Sequence, residues 1–159
     1  MSKLKISNIE TVERESVGNE ASFAAKVGRF TSLLGMKGFG MSVVEVEPGK
    51  KAWPYHLHYG EEEMFVILKG EGTIRYDDEH HPIKPGDVIY TPPGDGTAHQ
   101  IINTSDAPLQ YLAMSTQQLP EVCYYPDSGK YGSYFSRDEG DVDAFMAHER
   151  SEEDYFKGE

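Results

Sequence analysis

The chain has 159 residues and carries 27 acidic against 15 basic side chains, a formal net charge of −12. At 38% hydrophobic it is too apolar for a disordered chain, and it is long enough to bury a core without staples. The acidity disfavours nucleic-acid and anionic-membrane partners, which need clustered Lys and Arg, and the single Cys123 excludes an internal disulfide framework.

Residues 1–40 read as an N-terminal arm with a first strand. This segment is the net-positive part of the chain at +2, while residues 41–115 and 116–159 carry −7 each. Apolar patches at Phe23–Val27 and Phe30–Leu34 precede a glycine-rich stretch at 35–40. Met1 to Glu10 lacks a signal-peptide core and no apolar run is long enough to span a membrane; with one cysteine, this points to the cytoplasm.

From Met41 the texture changes. Short β-branched and aromatic runs (Met41–Glu47, Met64–Lys69, Thr73–Tyr76, Val88–Thr91, His99–Asn103, Leu109–Ser115) alternate with Pro, Gly and Asp clusters. Such breaks supply positive φ, fixed φ or self-capping side chains. The rhythm predicts an all-β antiparallel sandwich or barrel over residues 41–125. Pro126-Asp127-Ser128-Gly129 then signals a turn into an acidic extension, 126–159. Within it, Asp141–His148 is expected to form a short helix, because Val142, Phe145 and Met146 fall at i, i+3, i+4.

Three of the six histidines stand in suggestive places. His56 and His58 are two apart, so an extended strand points both imidazoles to one face. Glu63 follows closely, and His99 opens a later strand that pairing could bring across. Three imidazoles and a carboxylate suit one divalent ion (Mn, Fe, Ni or Zn) with positions left open for water or substrate. Taken alone, a His-x-His is also a common surface pair, and Glu61-Glu62-Glu63 reads equally as a charged hairpin tip.

The joint pattern says more. Gly49-(x6)-His56-x-His58-(x4)-Glu63-(x6)-Gly70 resembles the first signature of the cupin superfamily, and Gly86-(x5)-Pro92-x-Gly94-(x4)-His99-(x3)-Asn103 resembles the second. The resemblance covers residues 49–103. It implies a double-stranded β-helix, or jelly-roll barrel, and one divalent metal held by His56, His58, Glu63 and His99. One extra residue before His56 and two between Gly94 and His99 depart from the signatures, all in loops where insertion is tolerated. Within that resemblance Glu63 fits better than Glu62: it puts Gly70, not Lys69, six residues on and keeps Phe65 and Ile67 on the inward face.

Tyr55, Tyr59, Tyr90, Gln100 and Asn103 are weaker candidates for touching substrate or orienting ligands, and Arg75, Lys51 and Lys84 for meeting an anion. Each tyrosine reads equally as an aromatic filling a sheet face, and each cation as a solvated surface charge. His80 and His81, at a turn before Pro82, are expected to be exposed. Cys123 has no context for a nucleophile. The segments 92–104 and 125–130 are similar to a bacterial group of small single-domain cupins often labelled sugar-phosphate isomerases. That likeness implies a metal-dependent isomerase or epimerase acting on a small oxygenated metabolite. An iron-dependent dioxygenase and a non-catalytic small-ligand binding module are the alternatives on the same ligand set. The acidic barrel is a poor field for attracting phosphorylated substrates. Open sheet edges and the cupin resemblance together imply a homodimer, formed through the arm or through Glu121–Tyr125.

Overall fold

The computed structural model describes residues 3–94, 96–136, 142–148, 156 and 158. In chain order the elements are β1 (Glu15–Gly18), β2 (Ala24–Arg29), α1 (Phe30–Leu34), β3 (Phe39–Val46), β4 (Leu57–His58), β5 (Glu63–Lys69) and β6 (Gly72–Tyr76). They continue with β7 (Glu79–Ile83), β8 (Val88–Thr91), β9 (His99–Ile102), β10 (Leu109–Thr116), β11 (Glu121–Tyr125), β12 (Lys130–Phe135) and β13 (Asp143–His148). Every predicted run from Met41 to Ser115 forms a strand. Among the described residues no helix is long and apolar enough to cross a membrane.

The strands form a six-stranded sheet in the order β1-β2-β3-β10-β5-β8, a four-stranded sheet β13-β12-β11-β4 and a three-stranded sheet β7-β6-β9. The main core lies between the first and third. Val44, Val46, Phe65, Ile67, Leu109 and Tyr111 come from one side, Ile74, Ile83 and Ile101 from the other. Period-2 alternation sorts the side chains: Phe65 and Ile67 are 4% and 1% exposed, while Met64 between them and Glu63 is 40% exposed. A smaller cluster of Tyr55, Leu57, Ala98 and Tyr124 sits behind the four-stranded sheet.

Turn chemistry holds the register. Gly70 has φ 75°, and a β-carbon there would lie 2.3 Å from the Pro108 carbonyl oxygen. Asp77 and Asp78 close the β6–β7 hairpin at φ 47° and 63°, a conformation that short polar side chains tolerate. Asn103 is wholly buried and its Nδ2 donates to the carbonyls of Val46 (2.9 Å) and Ala107 (2.8 Å). It therefore ties the β9–β10 connection together and does not reach for a substrate.

Several expectations are corrected. The N-terminal arm holds two strands and a helix, not one strand, and β1 is an edge of the largest sheet. His80 and His81 are exposed as expected, but they lie within β7. The segment expected to be helical forms β13, paired with β12 from Lys130↔His148 to Phe135↔Asp143. A helix of that length cannot recover its nucleation cost, whereas the edge of β12 offers backbone partners at once, and Phe145 packs on Phe135 at 6.3 Å between centroids. The first residue of that expected helix, Asp141, lies outside the described residues. Glu121–Tyr125 is not an open edge for a dimer: β11 runs between β12 and β4 with both sides hydrogen-bonded.

Candidate metal centre

The loop after β3 brings the chain to Tyr55 and then into a short extended run. His56 N–H donates to the His99 carbonyl (3.1 Å) and His99 N–H to that of His56 (2.8 Å), an isolated bridge that joins the two histidine-bearing segments. Alternation then divides the run. Tyr55 and Leu57 turn into the smaller core cluster, while His56 and His58 line a cavity of about 570 Å3. Glu63 opens β5 beside them.

All three imidazoles converge on one oxygen. Glu63 Oε2 lies 2.9 Å from His99 Nε2, 3.3 Å from His58 Nε2 and 3.9 Å from His56 Nε2. Their side chains are between 3% and 16% exposed. Two of the remaining ring nitrogens have partners of their own. His56 Nδ1–H donates to the Pro54 carbonyl (2.8 Å), and His58 Nδ1 lies 3.3 Å from Glu121 Oε1. A carbonyl only accepts, so His56 carries its proton on Nδ1 and presents a lone pair at Nε2.

Burial, reinforced by the neighbouring His99, holds His56 down at about 4. Burial would also lower His58, but the nearby Cys123 sulfur and Glu63 carboxylate outweigh it and raise its pKa. For Glu63 burial acts upward, and the close His58 and His99 imidazoles override it and hold the carboxyl well below the usual range.

The donor set fits a divalent cation. Glu63 Oε2 and His99 Nε2 are buried and, although 2.9 Å apart, are not aligned as a hydrogen bond; each lacks a partner among the described residues. Gln100 Oε1 is buried and unpartnered as well. His56, Glu63, His99 and Gln100 together line a small void of about 20 Å3, enough for one ion or water. Buried nitrogen and oxygen atoms left without hydrogen-bond partners are what a first-row divalent ion would satisfy.

Of the weaker candidates none lines the main cavity. Tyr55 is buried beneath Arg75, whose guanidinium carbon lies 3.6 Å from the ring centroid, and its hydroxyl accepts from Asp78 N–H. Arg75 is engaged by Asp78 and Asp127 (2.6 and 2.8 Å). Tyr90 is exposed and donates to Glu62 Oε2 (3.3 Å). Gln100 Nε2 donates to the Trp53 carbonyl (2.8 Å), which fixes the loop carrying His56.

Sequence reasoning missed the wall contributed by β11. Glu121, Cys123 and Tyr125 line the cavity, and Cys123 pairs with His58 across the sheet. Cys123 Sγ lies 3.3 Å from His58 Nδ1, and Glu121 Oε1 also accepts the Tyr59 N–H (3.1 Å). Tyr125 stacks near His56 and shares a 3.0 Å hydrogen bond with Tyr134. The alternation Glu121-x-Cys123-x-Tyr125 in a β-rich run was the available signal, since it places all three on one face.

A histidine-and-glutamate cluster at the opening of a double-stranded β-helix defines a class, and residues 42–115 match the cupin domain family. That stretch of the chain is a cupin domain. Among curated proteins, an uncharacterized protein of Methanocaldococcus jannaschii is 41% identical over 81 residues, 50% of this chain and 62% of that protein. The chain therefore spans less than two thirds of that relative. Among solved structures, a sugar phosphate isomerase of the cupin superfamily from Silicibacter pomeroyi superposes with a TM-score of 0.80 at 24% identity, covering 92% of this chain and 94% of the other. At that identity the likeness speaks for the fold. A candidate sugar phosphate isomerase from Acidithiobacillus ferrooxidans gives a TM-score of 0.75 at 27% identity, covering 90% of both chains.

Proposed function

We propose that this protein is a metal-dependent isomerase or epimerase of a small hydroxy-carbonyl metabolite, with His56, His58, Glu63 and His99 holding one divalent ion of manganese, iron, nickel or zinc. The observation that carries the reading is the convergence of three imidazole Nε2 atoms on the unpartnered Glu63 Oε2 beside an open cavity. The likeness to the Acidithiobacillus ferrooxidans protein over 90% of both chains supports the reaction class. A bound ion would supply polarisation of a substrate carbonyl or hydroxyl oxygen.

The chain's own contribution to proton movement falls to Glu61. It lines the same cavity, stands outside the convergent set, and is fixed by the Gln118 N–H donating to Oε1 at 3.2 Å. Glu121, the other carboxylate of the wall, is already engaged by His58 and Tyr59. Glu61 takes the proton from the hydroxyl-bearing carbon and returns it to the neighbouring carbonyl carbon, while the hydroxyl proton moves to the carbonyl oxygen. One C–H bond and one O–H bond break, another of each forms, and no oxidant is consumed. Trp53, Tyr125 and Tyr134 supply the apolar wall that keeps the reacting carbons from bulk water.

The test has two parts. Protein purified without a metal-affinity step should contain about one divalent ion per chain, and Glu63→Gln should leave less than about a tenth of it. In D2O the wild type should exchange carbon-bound hydrogen of fructose 6-phosphate for deuterium, while Glu61→Gln keeps its metal and loses the exchange. Oxygen uptake without deuterium incorporation would sink the isomerase reading, and metal-free protein would sink the ligand set.

A further inference from the structure

The cavity at the histidine cluster has a large neighbour. A second, of about 680 Å3, adjoins it and shares Trp53, Glu63, Gln117 and Val142. Space is left there because the strands contribute short side chains to its lining: Gly40 and Ser42 on β3, Ala113 and Ser115 on β10. A β-carbon on Gly40 would lie 2.5 Å from Ser115 Oγ, so a side chain there would crowd the lining.

The two cavities differ in charge. Glu61, Glu63 and Glu121 line the first and, among the described residues, no Lys or Arg does. Arg29 and Lys37 line the second, with Glu63 its sole acid among the described residues. A third cation stands nearby: Lys5 Nζ lies 2.7 Å from where a β-carbon on Gly35, another lining residue, would sit. All three cations come from residues 1–40, the net-positive segment of a chain that is otherwise strongly acidic. Arg29 has Glu15 at 4.0 Å, but the two side chains are 50% and 75% exposed, and such a pair yields easily to a better anion.

We propose that the second cavity is an anion subsite, in which Arg29 and Lys37 hold a phosphate monoester whose hydroxy-carbonyl end lies at Glu63 and the histidines. The proposal rests on the isomerase reading and adds to it the residues that would hold the phosphate and their place beside Glu63. An arginine fork and an ammonium together match a tetrahedral dianion better than a planar carboxylate. Placing the anion here also removes a conflict, because the carboxylate-lined first cavity repels phosphate.

Trp53, the single tryptophan, lines both cavities and reports on each by its fluorescence. Inorganic phosphate, acetate, D-fructose and fructose 6-phosphate are titrated into the full-length protein, with and without prior chelator treatment. Phosphate should perturb Trp53 and acetate should not. Fructose 6-phosphate should bind at least about tenfold more tightly than D-fructose. The double variant Arg29→Gln/Lys37→Gln should abolish the phosphate response and bring that ratio close to unity. Lys84→Gln, on an exposed turn away from both cavities, should preserve them. A ratio that survives the double variant, acetate binding as well as phosphate, or no response to any probe overturns the subsite. If chelated protein still binds phosphate while no metal can be loaded, the subsite stands and the isomerase reading fails.

Discussion

His58 lies between two carboxylates at the same distance, and they do different things. Glu63 Oε2 is 3.3 Å from Nε2 and Glu121 Oε1 is 3.3 Å from Nδ1. Glu63 gathers two further imidazoles on the same oxygen and is left without an aligned hydrogen bond. Glu121 faces a single imidazole, is 3% exposed, and accepts a backbone N–H on the oxygen that meets His58. With Cys123 it forms a second group of potential ligands, His58, Glu121 and Cys123, all within 4.8 Å. The distances match; the proton inventory does not. Glu121 Oε1 meets one ring nitrogen and a backbone N–H, although its Oε2 is buried without a partner among the described residues. The Glu63 oxygen instead faces three ring nitrogens with no aligned hydrogen bond, the donor set of a cation site. The metal set proposed above therefore takes Glu63, while Glu121 stands behind His58, placed to fix its tautomer and orientation.

The largest consequence to measure is the pH dependence of metal-free protein. His56 is held at about 4 against 6.5 in the unfolded chain. Between these values the unfolded state takes a proton that the folded state refuses, so stability falls as pH drops through this window, by about 3 kcal/mol. Glu63, whose pKa is lowered, contributes stability that is whole above about pH 4.3 and is lost only below it. His58, whose pKa is raised, contributes fully below about 6.5 and loses its share as pH rises. Neither alters the slope between pH 4 and 6.5. Urea unfolding of chelator-treated protein at several pH values should show that slope, and His56→Gln should remove most of it. A variant with the wild-type slope would break the assignment of His56 as an imidazole kept neutral by burial beside His99.

What was readable in the sequence follows the same division. His56, His58, Glu63 and His99 lie within 44 residues, His56 on an isolated bridge next to β4 and the others in strands, so alternation fixes which face each occupies. Their meeting needs only one long-range event, the bridge between His56 and His99. Glu121 and Cys123 reach the same imidazole through pairing across more than 60 residues, which no local spacing encodes. The C-terminal strand was illegible for a related reason. Val142, Phe145 and Met146 do make a helical stripe, but the free edge of β12 decides their conformation, and an edge is a property of the assembled sheet. Likewise no local spacing singles out Arg29 and Lys37, which the course of the chain through β2, α1 and the start of β3 brings to the second cavity.

Glu121→Gln sharpens the contrast at His58. It keeps volume and an acceptor for the Tyr59 N–H but removes the charge that holds the Nδ1 proton. Metal affinity should fall by about ten- to a hundredfold, less than for Glu63→Gln, with little change in melting temperature of the metal-free protein. Competition with a fluorescent chelator reads this directly. An unchanged affinity would mean that Glu121 does not orient the ligand.

Cys123→Ala asks whether the thiol shares that task. Its sulfur is as close to His58 Nδ1 as the carboxylate, 3.3 Å in each case, so distance alone cannot rank the two. Chemistry can. A thiol is a weak acceptor, whereas an ionised carboxylate makes a charge-assisted bond roughly twice as strong as a neutral one. With Glu121 in place the Nδ1 proton stays engaged after the sulfur is removed. The loss in metal affinity should therefore be no more than about threefold, well short of the Glu121→Gln effect. An equal loss in the two variants would make the wall a coupled pair, with the sulfur sharing the imidazole proton. The double variant would then lose less than the two single effects combined.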